Sequence, residues 1–109
     1  MENLKTKDKE LLKIIFLHIM DRNPGFGSYY GLSQILERIL ISPYYRHHKV
    51  QISTLVEKEL ITSVKNGCFY ITEKGKIFLE ENKSKLSKEN LNYMLSNNSS
   101  TINIVFPFL

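Results

Sequence analysis

Tyr44, Tyr45, Arg46, His47, His48 and Lys49 follow one another without a break. Side chains of these types support three kinds of chemistry. Imidazoles hold metals and move protons near neutral pH. Aromatic rings fill cores. Arginine, lysine, imidazole and tyrosine hydroxyl together can hold the phosphates and base edges of a nucleic acid. The metal reading needs ligands on one side of an element. His47 and His48 are adjacent, so on a helix they point about 100° apart and cannot grip one ion together. His18 lies in a separate segment, and neither histidine has a carboxylate four residues away. No metal and no other cofactor is expected.

Catalytic chemistry has weaker support. "GFGSYYG" (25–31) spaces its glycines like part of a nucleotide loop, but it follows a helical segment and has no Lys-Ser/Thr pair. Cys68 is the only cysteine. That excludes an intrachain disulfide and a cysteine zinc cluster, and no histidine is expected beside it. An enzyme acting on a small-molecule substrate is therefore not expected.

The elements around the stretch follow from apolar spacing. Leu12, Ile15, Phe16, Ile19 and Met20 predict a first helix, capped by Thr6, carrying Asp8 in its first turn and ended by "RNPGFG" (22–27). Leu32, Ile35, Leu36, Ile39 and Leu40 predict a second helix within 28–41. Ser42-Pro43 is a helix start, and a third helix is expected over 43–59. The turn between them is about three residues, the length used in helix-turn-helix motifs. Asn66-Gly67 predicts a hairpin with a two-residue loop. That loop would pair Lys65 with Cys68, Val64 with Phe69 and Thr62 with Ile71. Val64, Phe69 and Ile71 would then face the core, with Lys65, Cys68 and Tyr70 opposite. A fourth helix is expected over 72–86, capped by Thr72, with Ser87 capping a continuation to Leu95. "SNNSST" (96–101) reads as a linker. "INIVFPFL" (102–109) alternates like a strand, with Ile102, Ile104, Phe106 and Phe108 on one side. The fold class is mainly α (α+β), in the order helix-helix-helix-hairpin-helix of a winged helix-turn-helix.

"VQISTLVEKELITSVKNGCFYITEKGKIFLEE" (50–81) resembles the recognition helix, wing and following helix of winged-helix regulators. The residues that carry the likeness are Leu55 to Ile61, Thr72, Glu73, Gly75 and Leu79. It spans about residues 8–86. It is nearest to small archaeal dimeric winged-helix DNA-binding proteins with a C-terminal dimerisation helix, and looser to the MarR and PadR families. The resemblance implies a homodimer that binds double-stranded DNA without a small-molecule cofactor, most simply as a transcriptional regulator. The chain departs from the pattern at Glu59, where such families carry glycine, which suggests a helix running somewhat further. The wing is also very short.

With Ile52 at the centre of the buried face and about 100° per residue, Tyr45, His48, Leu55, Val56 and Glu59 fall inward, with Lys49 at the margin. Arg46, His47, Val50, Thr54 and Glu57 fall outward, with Gln51 and Ser53 flanking. Arginine can bind guanine and glutamine adenine by two hydrogen bonds each, and Val50 could meet a thymine methyl. Tyr44, Lys49, Lys58 and Lys65 could reach phosphates. The candidate DNA-binding residues are Tyr44, Arg46, His47, Lys49, Val50, Gln51, Ser53, Thr54 and Lys65. Among them, Arg46, Val50 and Gln51 are expected at base edges.

At 109 residues the chain is one domain with an appendage, divided as 1–86 for the winged helix and 87–109 for an extension. The net charge of +4 favours a polyanionic partner. The stretch 73–95 is the natural dimerisation element. The apolar tail must be buried against its own domain or across a dimer, and the dimer is favoured. No apolar run approaches the roughly 20 residues that span a bilayer, and no signal-like segment opens the chain, so a cytoplasmic protein is expected. The competing reading is a protein-interaction module on the same scaffold. A basic face of Arg46, Lys49, Lys58 and Lys65 would favour DNA; interruption by Glu57, Glu37 and Asp21 would favour the module.

Overall fold

The computed structural model describes residues 4–22, 29–42, 44–64 and 68–109, with backbone alone at 29–31, 47–50 and 64. The elements are α1 (Thr6–Arg22), α2 (Tyr29–Ile39), a 3-10 turn (Tyr44–His47) leading into α3 (His48–Glu57), β1 (Ile61–Val64), β2 (Cys68–Ile71), α4 (Glu73–Asn82), a 3-10 turn (Lys83–Lys85), α5 (Lys88–Leu91) and α6 (Ser99–Val105). The chain is mainly helical with one small antiparallel sheet, in the helix-helix-helix-hairpin-helix order expected. Among the described residues no helix is long and apolar enough to cross a membrane. Residues 23–28, 43 and 65–67 lie outside the described residues.

α1 is the central rod. Every residue from Leu11 to Met20 is buried, including Lys13 and His18. A helix that is apolar nearly all round has no solvent face and must be covered on several sides. α3, α4 and β2 pack directly on it. Lys13 keeps its charge paired, with Nζ 2.9 Å from Glu10. Leu32, Leu36 and Ile39 of α2 and Ile52 and Leu55 of α3 join the same core, as does Leu79 of α4.

The hairpin is paired one residue away from the expected register. The partners are Ile61 with Ile71, Thr62 with Tyr70, Ser63 with Phe69 and Val64 with Cys68. Three residues, 65–67, therefore join the strands instead of two. A one-residue slip moves a strand's side chains to the opposite face. Val64 consequently stands opposite Cys68 in the backbone register and not opposite Phe69. The inward set is Ile61, Phe69 and Ile71, all packed on the core, while Thr62 and Tyr70 are exposed.

The end of α3 also differs from expectation. The helix does not run on through Glu59. Glu59 itself takes the left-handed conformation, with φ 61°. The Leu60 amide donates to the Leu55 carbonyl (2.9 Å) and the Glu59 amide to the Val56 carbonyl (3.0 Å). These are the two bonds of a Schellman cap, in which glycine is the usual left-handed residue. The next strand is locked to α4 at the same place. The Thr72 hydroxyl donates to the Glu59 carbonyl (2.6 Å) and accepts from the Gly75 amide (3.0 Å). The Thr72 amide donates to the Leu60 carbonyl at 3.0 Å. A β-carbon on Gly75 would lie 2.1 Å from the Leu60 carbonyl oxygen, so only glycine fits.

The C-terminal extension is not one long helix. α4 ends at Asn82, and Ser87 caps a separate α5 by accepting from the Asn90 amide. The tail is not a strand either. Asn98 caps α6 by accepting from the Thr101 amide, and Ile102, Val105 and Phe106 turn inward at helical spacing. Leu86, Leu91 and Met94 enter the same core as α1. The tail is thus buried against its own domain, with Ile104 exposed and Phe108 partly covered.

Two substitutions check this junction. Gly75→Ala is expected to cost about 1–3 kcal/mol, since the clash is with backbone that cannot yield. Glu59→Gly is expected to stabilise by about 0.5–1 kcal/mol, because the left-handed penalty exceeds the entropy that glycine adds to the unfolded chain. Urea unfolding of the two variants beside the parent measures both.

Candidate nucleic-acid interface

The aromatic-basic stretch is the 3-10 turn and first turn of α3, and it splits between inside and outside. Tyr44 and Tyr45 are half-buried and pack on the core. Tyr44 meets the ring of Tyr93 edge-on, with centroids 6.0 Å apart and planes at 74°. Tyr93 in turn donates its hydroxyl to the buried carboxylate of Asp8. Burial and the nearby Asp8 charge raise the Tyr44 phenol above its ordinary value. The Tyr93 phenol is pushed up to about 12 by burial, by its bond to Asp8 and by the charges of Asp8 and Tyr44. Both are neutral hydroxyls at any working pH. The packing of its ring makes Tyr44 a brace for the turn.

Arg46 is exposed, with its guanidinium carbon 5.7 Å from the centroid of the Tyr45 ring. A cation over an aromatic face is held by the ring's quadrupole, which limits the arginine's wandering while leaving its donors outward. His47, Lys49 and Val50 are backbone-only positions, and Lys65 lies outside the described residues.

Further along, the helix is turned from the expected orientation. Among the described side chains of α3, Gln51, Ile52 and Leu55 are buried. Their mean direction lies about 50° from Ile52 on the Gln51 side, at 100° per residue. Gln51, expected at a base edge, is 3% exposed and belongs to the interior. Its Oε1 has no hydrogen-bond partner among the described residues. Val56, expected inward, is exposed; Ser53 is exposed as expected, and Thr54 is half-buried. Residues 51–56 are all α-helical, so the difference lies in how packing against α1 and β1 rotates the helix about its axis.

The described outer surface therefore carries Arg46, Ser53, Val56, Glu57, Lys58 and Glu59. Its two cations are matched by two carboxylates. On the opposite side of the turn, the C-terminal extension clips the junction of α2 and α3. Leu40 and Leu95 form an antiparallel bridge. The Ile41 amide donates to the Met94 carbonyl and the Ser96 amide to the Ile39 carbonyl, both at 2.8 Å. The Ser96 hydroxyl donates to the Arg38 carbonyl. Sequence reasoning found neither this clip nor the Asp8–Tyr93–Tyr44 chain. Their partners are far apart in sequence and carry no local pattern.

No group of three or more histidine, cysteine, aspartate or glutamate residues is placed to hold a metal among the described residues. Comparisons with protein-family models, with curated proteins and with solved structures return no match.

Gln51→Met keeps the side-chain volume and removes the unpartnered oxygen. It is expected to stabilise by about 1 kcal/mol, from the desolvation penalty of an unsatisfied acceptor, and to leave any nucleic-acid affinity unchanged. Denaturant midpoints and a binding titration of the same variant check the two halves.

Proposed function

We propose that this chain is a winged helix-turn-helix protein that binds double-stranded DNA as a homodimer, acting in the cytoplasm as a transcriptional regulator. The observation that carries the reading is the run of elements around α3. Two helices meet across a short turn, the second opens with an aromatic-basic stretch, and an antiparallel hairpin follows at once. In such an arrangement the second helix enters the major groove and the hairpin lies beside it. Arg46, steadied by Tyr45, and Ser53 would face the DNA, with Lys58 near a phosphate. His47, Lys49, Val50 and Lys65 complete the proposed surface, and Thr54 sits at its edge. Gln51 is withdrawn from it. The fixed turn supports the reading too: a helix that reads base edges must be held at a constant angle, and the clip at Leu40–Leu95 does this.

A protein-interaction module is the second reading. It is favoured by Glu57 and Glu59, which stand exposed beside Lys58, and by the exposed apolar side chain of Val56. Carboxylates near phosphates oppose binding; beside an apolar residue they suit a protein partner with its own charges.

Fluorescence anisotropy with a random-sequence duplex separates the readings. Binding is expected to weaken steeply with salt. In Arg46→Ala/Lys49→Ala affinity should fall, and the slope of log affinity against log salt should drop by about 1 for the lost Lys49 phosphate contact. Absence of binding at low salt removes the DNA reading, and binding unchanged in the variant moves the surface away from α3.

A further inference from the structure

His18 is the one histidine set inside the apolar run of α1, and it is 3% exposed. Three groups of the C-terminal tail close on it. Its Nε2 lies 2.6 Å from the Val105 carbonyl oxygen. The Phe106 ring stacks on the imidazole, with centroids 5.3 Å apart and planes at 14°. The Phe108 ring meets it edge-on at 5.5 Å and 83°. The two phenylalanines also touch each other, at 6.0 Å and 72°.

A carbonyl oxygen only accepts, so Nε2 carries a hydrogen and donates it. In the neutral ring this bond selects the Nε2–H tautomer. A second proton would place a cation between aromatic rings, out of contact with water. The charged groups that act on it are Arg22 and Asp21 from the end of α1 and Lys83 from the turn after α4. The tail from Ser99 to Phe108 contributes no ionisable side chain. Two cations thus stand against one carboxylate. Burial lowers His18 below the ordinary histidine value; the Val105 bond opposes this, Arg22 and Lys83 add to it, and Asp21 partly offsets them.

We propose that His18 is a proton-operated latch on the C-terminal helix: neutral, it holds α6 and the Phe106–Phe108 pair against α1, and protonated it lets them go. The sign follows from linkage. A group that is harder to protonate in the docked state contributes its full docking free energy above the free histidine value of about 6.5, and loses it as pH falls from there through the docked value. Release exposes the apolar face of Ile102, Val105 and Phe106. It also frees the far end of the segment that clips the turn between α2 and α3. The latch does not depend on what that turn binds.

Hydrogen exchange of the full chain, read by mass spectrometry and corrected for intrinsic rates, tests it. Between about pH 7.5 and about pH 5, protection of residues 99–106 should fall at least about fivefold relative to the hairpin 61–71, in line with a protonation-linked opening. His18→Gln keeps an amide donor and cannot take the proton, so its tail should show no such relative fall. NMR titration of the His18 ring in the parent protein gives a second check, because its midpoint must coincide with that of tail release. Unchanged tail protection in acid overturns the latch. So does a fall shared equally by the hairpin, an equal fall in His18→Gln, or a ring that titrates apart from release.

Discussion

One hydroxyl joins three elements. Thr72 caps α4 through the Gly75 amide and ties the same oxygen to the carbonyl of Glu59, the residue at which the chain leaves α3. The close approach of Gly75 to the Leu60 carbonyl completes the lock. Without it, α3 and α4 would be joined only through a four-residue strand pair, which is weak by itself. With it, the direction of α3 is set by α4, and α4 is set by its packing on α1. The outward face of α3 is fixed by backbone hydrogen bonds at its end as much as by the side chains beneath it.

α1 supplies the other half of the constraint. Its interior is apolar on all sides, so its burial is shared among α3, α4, the hairpin and the tail, which cover it from different sides. The two polar side chains embedded in that run are both partnered: Lys13 pairs with Glu10 and His18 with Val105. Burial of a polar group without a partner would cost more than its bond returns. Gln51 is the contrasting case, buried with an acceptor that has no partner among the described residues.

Much of the frame is legible in the sequence, and the misses share a cause. Leu12, Ile15, Phe16 and Ile19 announce α1, and Leu32 to Leu40 announce α2, because each pattern spans enough turns for only one period to fit. Thr72 and Gly75 mark the start of α4 correctly. The strands at 61–71 are legible but their register is not. Asn66-Gly67 suits a two-residue loop locally, whereas the burial of Ile61 opposite Ile71 selects the three-residue connection. In "INIVFPFL", Ile102, Ile104 and Phe106 fit a period of two while Ile102, Val105 and Phe106 fit a helix, and a run this short does not distinguish them. Asn98, read as linker, is the cap that decides. In the candidate interface, Arg46 of the 3-10 turn and Ser53 of α3 are legible as exposed residues. Gln51 is not, since its burial depends on how far tertiary packing rotates the helix.

The long-range ties bear on the order in which the molecule is made. Asp8 meets Tyr93 across 85 residues, His18 meets Val105 across 87, and Arg38 meets Ser96 across 58. Contacts of such separation close late, because a long loop must be ordered before they return anything. On the ribosome, α1, α2 and α3 are all synthesised while their covering segment does not yet exist. The central, most enclosed stretch of the chain, Leu11 to Met20, waits the longest for its last neighbours. Residues 93–106 therefore act as the final step of assembly, and until they arrive the nascent chain exposes the surface that invites chaperones or aggregation.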